Sequence, residues 1–116
     1  MIDATTDELL RWYRTVTVAQ VRDESPDLTS RQTAVLLTVY LQDTPQTVRG
    51  LASALNVSKP AITRALDRLE RYQLTRRMTD PEDRRSVIIQ RTPEGNRYLT
   101  RLRAKMSQAV KVFATA

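Results

Sequence analysis

From Asp7 to about Asp23 apolar residues recur at helical spacing, with Leu9, Leu10, Trp12, Tyr13, Val16 and Ala19 on one wide face and Val21 near its end. Ser25-Pro26-Asp27 breaks the pattern. Thr29 and Gln32 then have the spacing of a capping box, in which each side chain accepts from the other residue's backbone N–H. A second helix is expected from there to about Gln42, with Val35, Leu36, Val39 and Tyr40 apolar, until Asp43-Thr44-Pro45 ends it. Thr47 caps a short helix over Val48 to about Leu55, whose apolar side carries Val48, Leu51, Ala52 and Leu55. After a tight turn at Asn56-Val57, Ser58 caps a helix from Lys59 to about Tyr72, with Pro60 in the first turn where its missing N–H is harmless. Two short helices joined by so few residues, with one aliphatic in the turn, form a helix-turn-helix pattern.

Beyond Tyr72 the period drops to two. Leu74–Thr79 and Ser86–Arg91 both alternate, and Asp80-Pro81-Glu82-Asp83-Arg84-Arg85 lies between them, so a hairpin with a charged tip is expected. Thr92 caps a last helix that has Pro93 at its first position and Glu94 in its first turn, and that runs to near residue 114. In that helix Leu99, Leu102, Met106, Ala109 and Phe113 follow a 3-4-3-4 spacing, with Val110 beside them, a seam suited to another helix. Leu99, Leu102, Met106, Val110 and Phe113, together with Leu9, Trp12 and Val16 of the first helix, are the expected dimerisation residues. The other reading is that the two helices pack on each other within one subunit. The fold class is therefore mainly α with a small β-hairpin wing. Residues 1–116 read as one domain, with a lobe at about 28–91 flanked by helices at about 5–24 and 93–114.

Charge and composition narrow the function. The chain has no cysteine and no histidine, which removes disulfides, thiol redox sensing and nearly all zinc chemistry. Only two glycines occur, Gly50 and Gly95, too few for a phosphate-cradling loop, and the carboxylates are scattered among arginines. No enzyme, metal or cofactor is expected. No run of about 18 apolar residues suggests a membrane span, and the amino terminus lacks a secretory pattern, so a cytoplasmic protein is expected. The net charge of +6 is unevenly spread: residues 1–58 hold five arginines against seven acids, a net −2, and residues 59–116 hold 14 basic residues against six acids, a net +8. A basic half suggests a polyanionic partner.

The helix from Lys59 concentrates that charge. At roughly 100° per residue, Ile62, Ala65, Leu66 and Leu69 share an inward face, while Pro60, Thr63, Arg64, Asp67, Arg68 and Arg71 face outward. A helix in the major groove presents its first turns to base edges, and arginine can donate in bidentate fashion to guanine. Thr63 suits a phosphate, a base edge or a thymine methyl, and the N–H groups near Ser58 and Lys59 suit a phosphate. Arg68 and Arg71 would lie nearer the backbone. The competing reading is an ordinary exposed helix with i,i+4 pairs such as Asp67–Arg71. At the hairpin tip, Arg84 and Arg85 suit a narrow minor groove, with Asp83 orienting Arg85; the plainer reading is an exposed ion pair of little energy.

These residues resemble the MarR family of bacterial winged helix-turn-helix transcriptional regulators. The likeness is carried by Leu28-Thr29-Ser30-Arg31-Gln32, by Leu51 through Arg64, by Leu69-Glu70, by Asp80 through Arg85 and by Thr92-Pro93-Glu94-Gly95, and it spans about residues 28–99. It implies Thr63 and Arg64 in the major groove, Arg85 in the minor groove held by Asp83, and a dimer built from the first and last helices. It also implies a repressor on a pseudo-palindromic site and a small-molecule effector, for which Trp12, Tyr13, Arg14 and Tyr40 are candidate contacts; core packing is the other reading of these aromatics. Two departures stand out. Gln73 occupies a position where the family usually has glycine, so either it turns left-handed or the helix ends differently. One long helix follows the wing where the family commonly has two. A different class of function, a winged-helix module binding an acidic protein, would use the same basic surface.

Overall fold

The computed structural model describes residues 5–115, with side chains through Lys111. Its elements run α1 (Thr6–Arg22), α2 (Ser30–Leu41), β1 (Gln46–Thr47), α3 (Val48–Leu55), α4 (Lys59–Arg71), β2 (Thr75–Thr79), β3 (Val87–Arg91) and α5 (Pro93–Thr115). The mainly α fold with a small sheet is thus the one the periodicity implies. Contacts divide the chain into two units, one comprising Leu28–Asn96 and the other the segments on either side of it.

In the larger unit every helix begins where the capping chemistry places it. Thr29 and Gln32 form the complete capping box, and the hydroxyls of Thr47, Ser58 and Thr92 accept from the N–H groups of Gly50, Ala61 and Gly95. Such caps are each worth about 1 kcal/mol. The core gathers Val35 and Leu36 of α2, Leu51 of α3, Ile62, Leu66 and Leu69 of α4, and Leu74, all fully buried. The inward face of α4 is the expected one, with Ala61 added to it. Burying side chains of this size contributes roughly 1.5–3 kcal/mol each, so these seven hold the helix-turn-helix in place. Asn56 closes α3 in the left-handed region at φ 55°, a conformation asparagine tolerates.

The wing differs from a simple hairpin. β2 and β3 pair antiparallel with Arg77 opposite Ile89, and β1 adds a third strand with Gln46 opposite Ile89 and Thr47 opposite Ile88. The sheet order is β1-β3-β2, which ties the start of α3 to the base of the wing. Tyr40 closes the other side of the lobe. Its buried hydroxyl donates to the Leu74 carbonyl at 2.6 Å and accepts from the Thr92 N–H at 2.9 Å. Gly95 lies against the same ring so closely that a Cβ would collide with Tyr40 and with the Leu74 carbonyl. The Arg91 guanidinium carbon lies over the Tyr40 ring, 5.8 Å from its centroid, and the side chain donates to the carbonyls of Val39 and Gln42 near the end of α2.

In the smaller unit α1 and α5 are joined by polar contacts. Trp12 donates its indole N–H to the Met106 carbonyl at 3.1 Å, and Gln20 donates to the Tyr98 hydroxyl at 3.0 Å. Lys105 pairs with Asp23 at 2.7 Å and donates to Gln20. The Lys105 hydrogen bond, with help from Ser25, holds the Asp23 carboxyl below its usual range. Burial pushes the Tyr98 phenol up. α1 starts at Thr6, one residue before the expected position, because Thr5 serves as its N-cap.

Candidate nucleic-acid interface

α4 presents Lys59, Pro60, Thr63, Arg64, Asp67, Arg68 and Arg71 to solvent, beginning at the exposed cap Ser58. Lys59, Thr63, Arg64, Arg68 and Arg71 have no side-chain partner among the described residues, so their donors are available to a ligand. The wing tip is a compact turn: the Asp80 N–H donates to the Ser86 carbonyl at 2.9 Å, and the Ser86 N–H to the Asp83 carbonyl at 2.9 Å. Within it the Asp83 carboxylate accepts from both the backbone N–H and the Nε of Arg85, at 3.1 and 3.3 Å. The Arg85 side chain is 91% exposed, so the carboxylate steers the guanidinium without enclosing it. Arg84 is exposed beside it.

Between helix and wing lies a cleft of about 420 Å³ lined by Lys59 and Thr63 of α4, by Asp83, Arg85, Ser86 and Val87 of the wing, by Thr47, Val48 and Arg49 where α3 begins, and by Arg77 of β2. The geometry therefore gathers Lys59, Thr63, Asp83 and Arg85 around one concavity. Ser58, Pro60, Arg64, Arg68, Arg71 and Arg84 lie outside its lining. Two cations were not singled out by sequence. Arg49 reaches the cleft because β1 anchors the start of α3 to the wing, and a two-residue strand leaves no periodic trace. Arg77 is the second, and it changes the reading of α4. It donates to Asp67 at 2.6 Å and, through Nε, Nη2 and its backbone N–H, to Glu70. The Asp67–Arg71 pair of the competing reading is absent among the described residues; Asp67 turns to the wing strand instead, where it shares a guanidinium with Glu70. The Arg77 hydrogen bond holds the Glu70 carboxyl below its usual range, and the two acids hold Arg77 above its own.

The end of α4 settles the question raised by Gln73. It adopts φ 62°, the left-handed turn, and its N–H donates to the Glu70 carbonyl while the Leu74 N–H reaches back to that of Leu69. A MarR-family profile matches residues 28–87, the stretch that holds both helices of the helix-turn-helix and most of the wing. This chain belongs to the MarR family. An uncharacterised HTH-type transcriptional regulator of Bacillus subtilis, YkoM, is 31% identical over 93 residues, covering 79% of this chain; the chain spans 60% of that relative's length. Among solved structures, the transcriptional regulator Tm0710 of Thermotoga maritima superposes with a TM-score of 0.74 at 24% identity, over 94% of this chain and 78% of its own. CouR of Rhodococcus jostii RHA1, solved with p-coumaroyl-CoA, is 30% identical with a TM-score of 0.64, over 84% of this chain and 66% of its own. The winged-helix architecture is shared with both.

The remaining sequence candidates fall in two groups. Among the expected dimerisation residues, Val16 and Leu99 are buried within the chain, Trp12 and Leu102 are half-buried, and Leu9, Met106 and Val110 are exposed. The Phe113 side chain lies outside the described residues. Of the expected effector contacts, Tyr40 is a buried core residue with its hydroxyl engaged, Trp12 has its indole N–H engaged, and Tyr13 and Arg14 are exposed on α1. Among the described residues no carboxylate cluster could hold a metal ion, and no helix is long and apolar enough to cross a membrane.

Proposed function

We propose that this MarR-family chain binds duplex DNA as a homodimer and represses transcription from a pseudo-palindromic site. The reading is carried by the outward face of α4, where Thr63, Arg64, Arg68 and Arg71 stand exposed and without side-chain partners among the described residues, beside a wing tip that carries a steered Arg85. α4 enters the major groove; Thr63 and Arg64 meet base edges, and Ser58, Lys59, Pro60, Arg68 and Arg71 lie along the backbone. Arg84 and Arg85 reach the adjacent minor groove, with Asp83 fixing the Arg85 guanidinium. Two-fold symmetry would set two such helices about 34 Å apart, one turn of DNA. The partner surface is the exposed apolar set on α1 and α5: Leu9, Leu10, Met106 and Val110. A protein of this role works in the cytoplasm, where its DNA is.

A small-molecule effector belongs to the same reading, because CouR, of similar fold, is solved with an aromatic acyl-CoA. On this chain Tyr13 and Arg14 are the candidates whose polar groups remain open to such a ligand.

Selection of bound sequences from a random duplex pool tests the proposal directly. A two-fold symmetric consensus supports it, and no enrichment at low salt sinks it. Arg64→Ala is expected to lose about 1–3 kcal/mol of discrimination at one base pair of each half-site. Arg85→Ala is expected to weaken binding at flanking A·T-rich positions while leaving the half-site preference intact. Anisotropy titrations on consensus and mismatched duplexes separate the two effects.

A further inference from the structure

α4 carries two carboxylates, Asp67 and Glu70, on a helix whose other exposed charges are all basic. Asp67 follows Thr63 by one turn on the outward face and is 57% exposed. Placed against DNA, both acids would repel phosphates at close range. Instead both converge on one side chain from the wing. Arg77 Nη2 lies 2.6 Å from Asp67 Oδ1 and 2.6 Å from Glu70 Oε2, and its side chain is only 28% exposed. The arrangement is built in from three sides, since Arg77 Nε and its backbone N–H also donate to Glu70. Arg77 therefore has little left to give a phosphate, though it lines the cleft.

We infer that Arg77 is a positioning residue for DNA recognition, acting through Asp67 and Glu70: it turns both carboxylates toward the wing and screens their charge from the duplex. The inference rests on the DNA-binding reading above. It assigns to Arg77 a role opposite to that of the other cleft cations, which would meet the anion themselves.

The two roles differ in how they respond to removal of the acids. Arg77→Gln leaves two uncompensated carboxylates at the interface, and its affinity for a labelled duplex enriched by the wild-type protein is expected to fall roughly tenfold at about 50 mM salt, with the deficit shrinking as salt rises. The triple variant Asp67→Asn, Glu70→Gln, Arg77→Gln removes the repulsion together with its screen, and is expected to recover to within about threefold of wild type. Arg77→Lys keeps a cation beside both acids and is expected to lie between wild type and Arg77→Gln. A merely structural role would leave the triple variant as weak as Arg77→Gln, whereas a direct phosphate contact would let Asp67→Asn with Glu70→Gln strengthen wild type as much as it strengthens Arg77→Gln; either result overturns the inference, as does wild-type affinity in Arg77→Gln. Circular dichroism confirms that each variant is folded. A wild-type protein that enriches no duplex defeats the DNA-binding reading itself, an outcome visible before any variant is made.

Discussion

At position 73 the backbone turns left-handed with a side chain attached, and the helix that carries the basic face ends there. L-residues meet that conformation at a cost of about 1–2 kcal/mol, because Cβ crowds the following carbonyl. The turn is retained because it lets Leu74 bury fully and lets Thr92 donate its hydroxyl to the Gln73 carbonyl at 2.6 Å. Gln73→Gly keeps that carbonyl and removes the crowding, at the expense of extra freedom in the unfolded chain. The net expectation is a stabilisation of about 0.5–1 kcal/mol, read as a higher urea midpoint with an unchanged slope. Gly95 is the converse case, a residue whose missing side chain is required by the Tyr40 ring, so alanine there must displace either the ring or the Leu74 carbonyl.

At the scale of elements, β2 is an edge strand of the sheet, and the Glu70 carboxylate accepts the Arg77 N–H on its open side. That contact protects the edge and joins the wing to α4. Its pH dependence has a defined sign. Arg77 lowers the Glu70 pKa below the ordinary 4.5, so the stabilisation is present above about pH 5 and fades as the pH falls below 4.5. Urea unfolding should show wild type ahead of Glu70→Gln by about 0.5–1 kcal/mol at pH 7, since the pair is partly exposed, with the lead shrinking as the pH falls below 4.5. Much at this scale was legible in the chain itself. Thr29, Thr47, Ser58 and Thr92 announce four helix starts because capping is local chemistry, and the inward face of α4 follows from its period. β1 was not legible, because two residues cannot display alternation and their partner lies some forty residues away. Nor was the Arg77 link, since helical spacing offered Asp67 a nearer partner in Arg71 and only the tertiary fold decides between them.

For the whole molecule the question is what covers the exposed apolar residues of α1 and α5. Trp12 and Lys105 show that these helices are tied within one chain, as the within-subunit reading of the seam has it: Val16 and Leu99 are covered internally, while Leu10 and Val110 remain 64% and 39% exposed. Leu10→Arg combined with Val110→Arg is expected to leave secondary structure unchanged and to convert a sedimenting dimer to monomer; a monomeric wild type would remove the homodimer from the proposal. The three-stranded sheet has a consequence of another kind. Because β1 is hydrogen-bonded to β3, the wing is not a loose finger hung from the end of α4. It is hinged to both ends of the helix-turn-helix, through β1 before α3 and through Arg77 against α4. A sideways pull on the tip would be carried into α3 and α4 together, so under the proposed function the lobe would meet a duplex as a single jaw. Fitting to different duplexes would then come from the bending of the DNA, and operators would be sorted by how readily they deform as well as by which bases they offer.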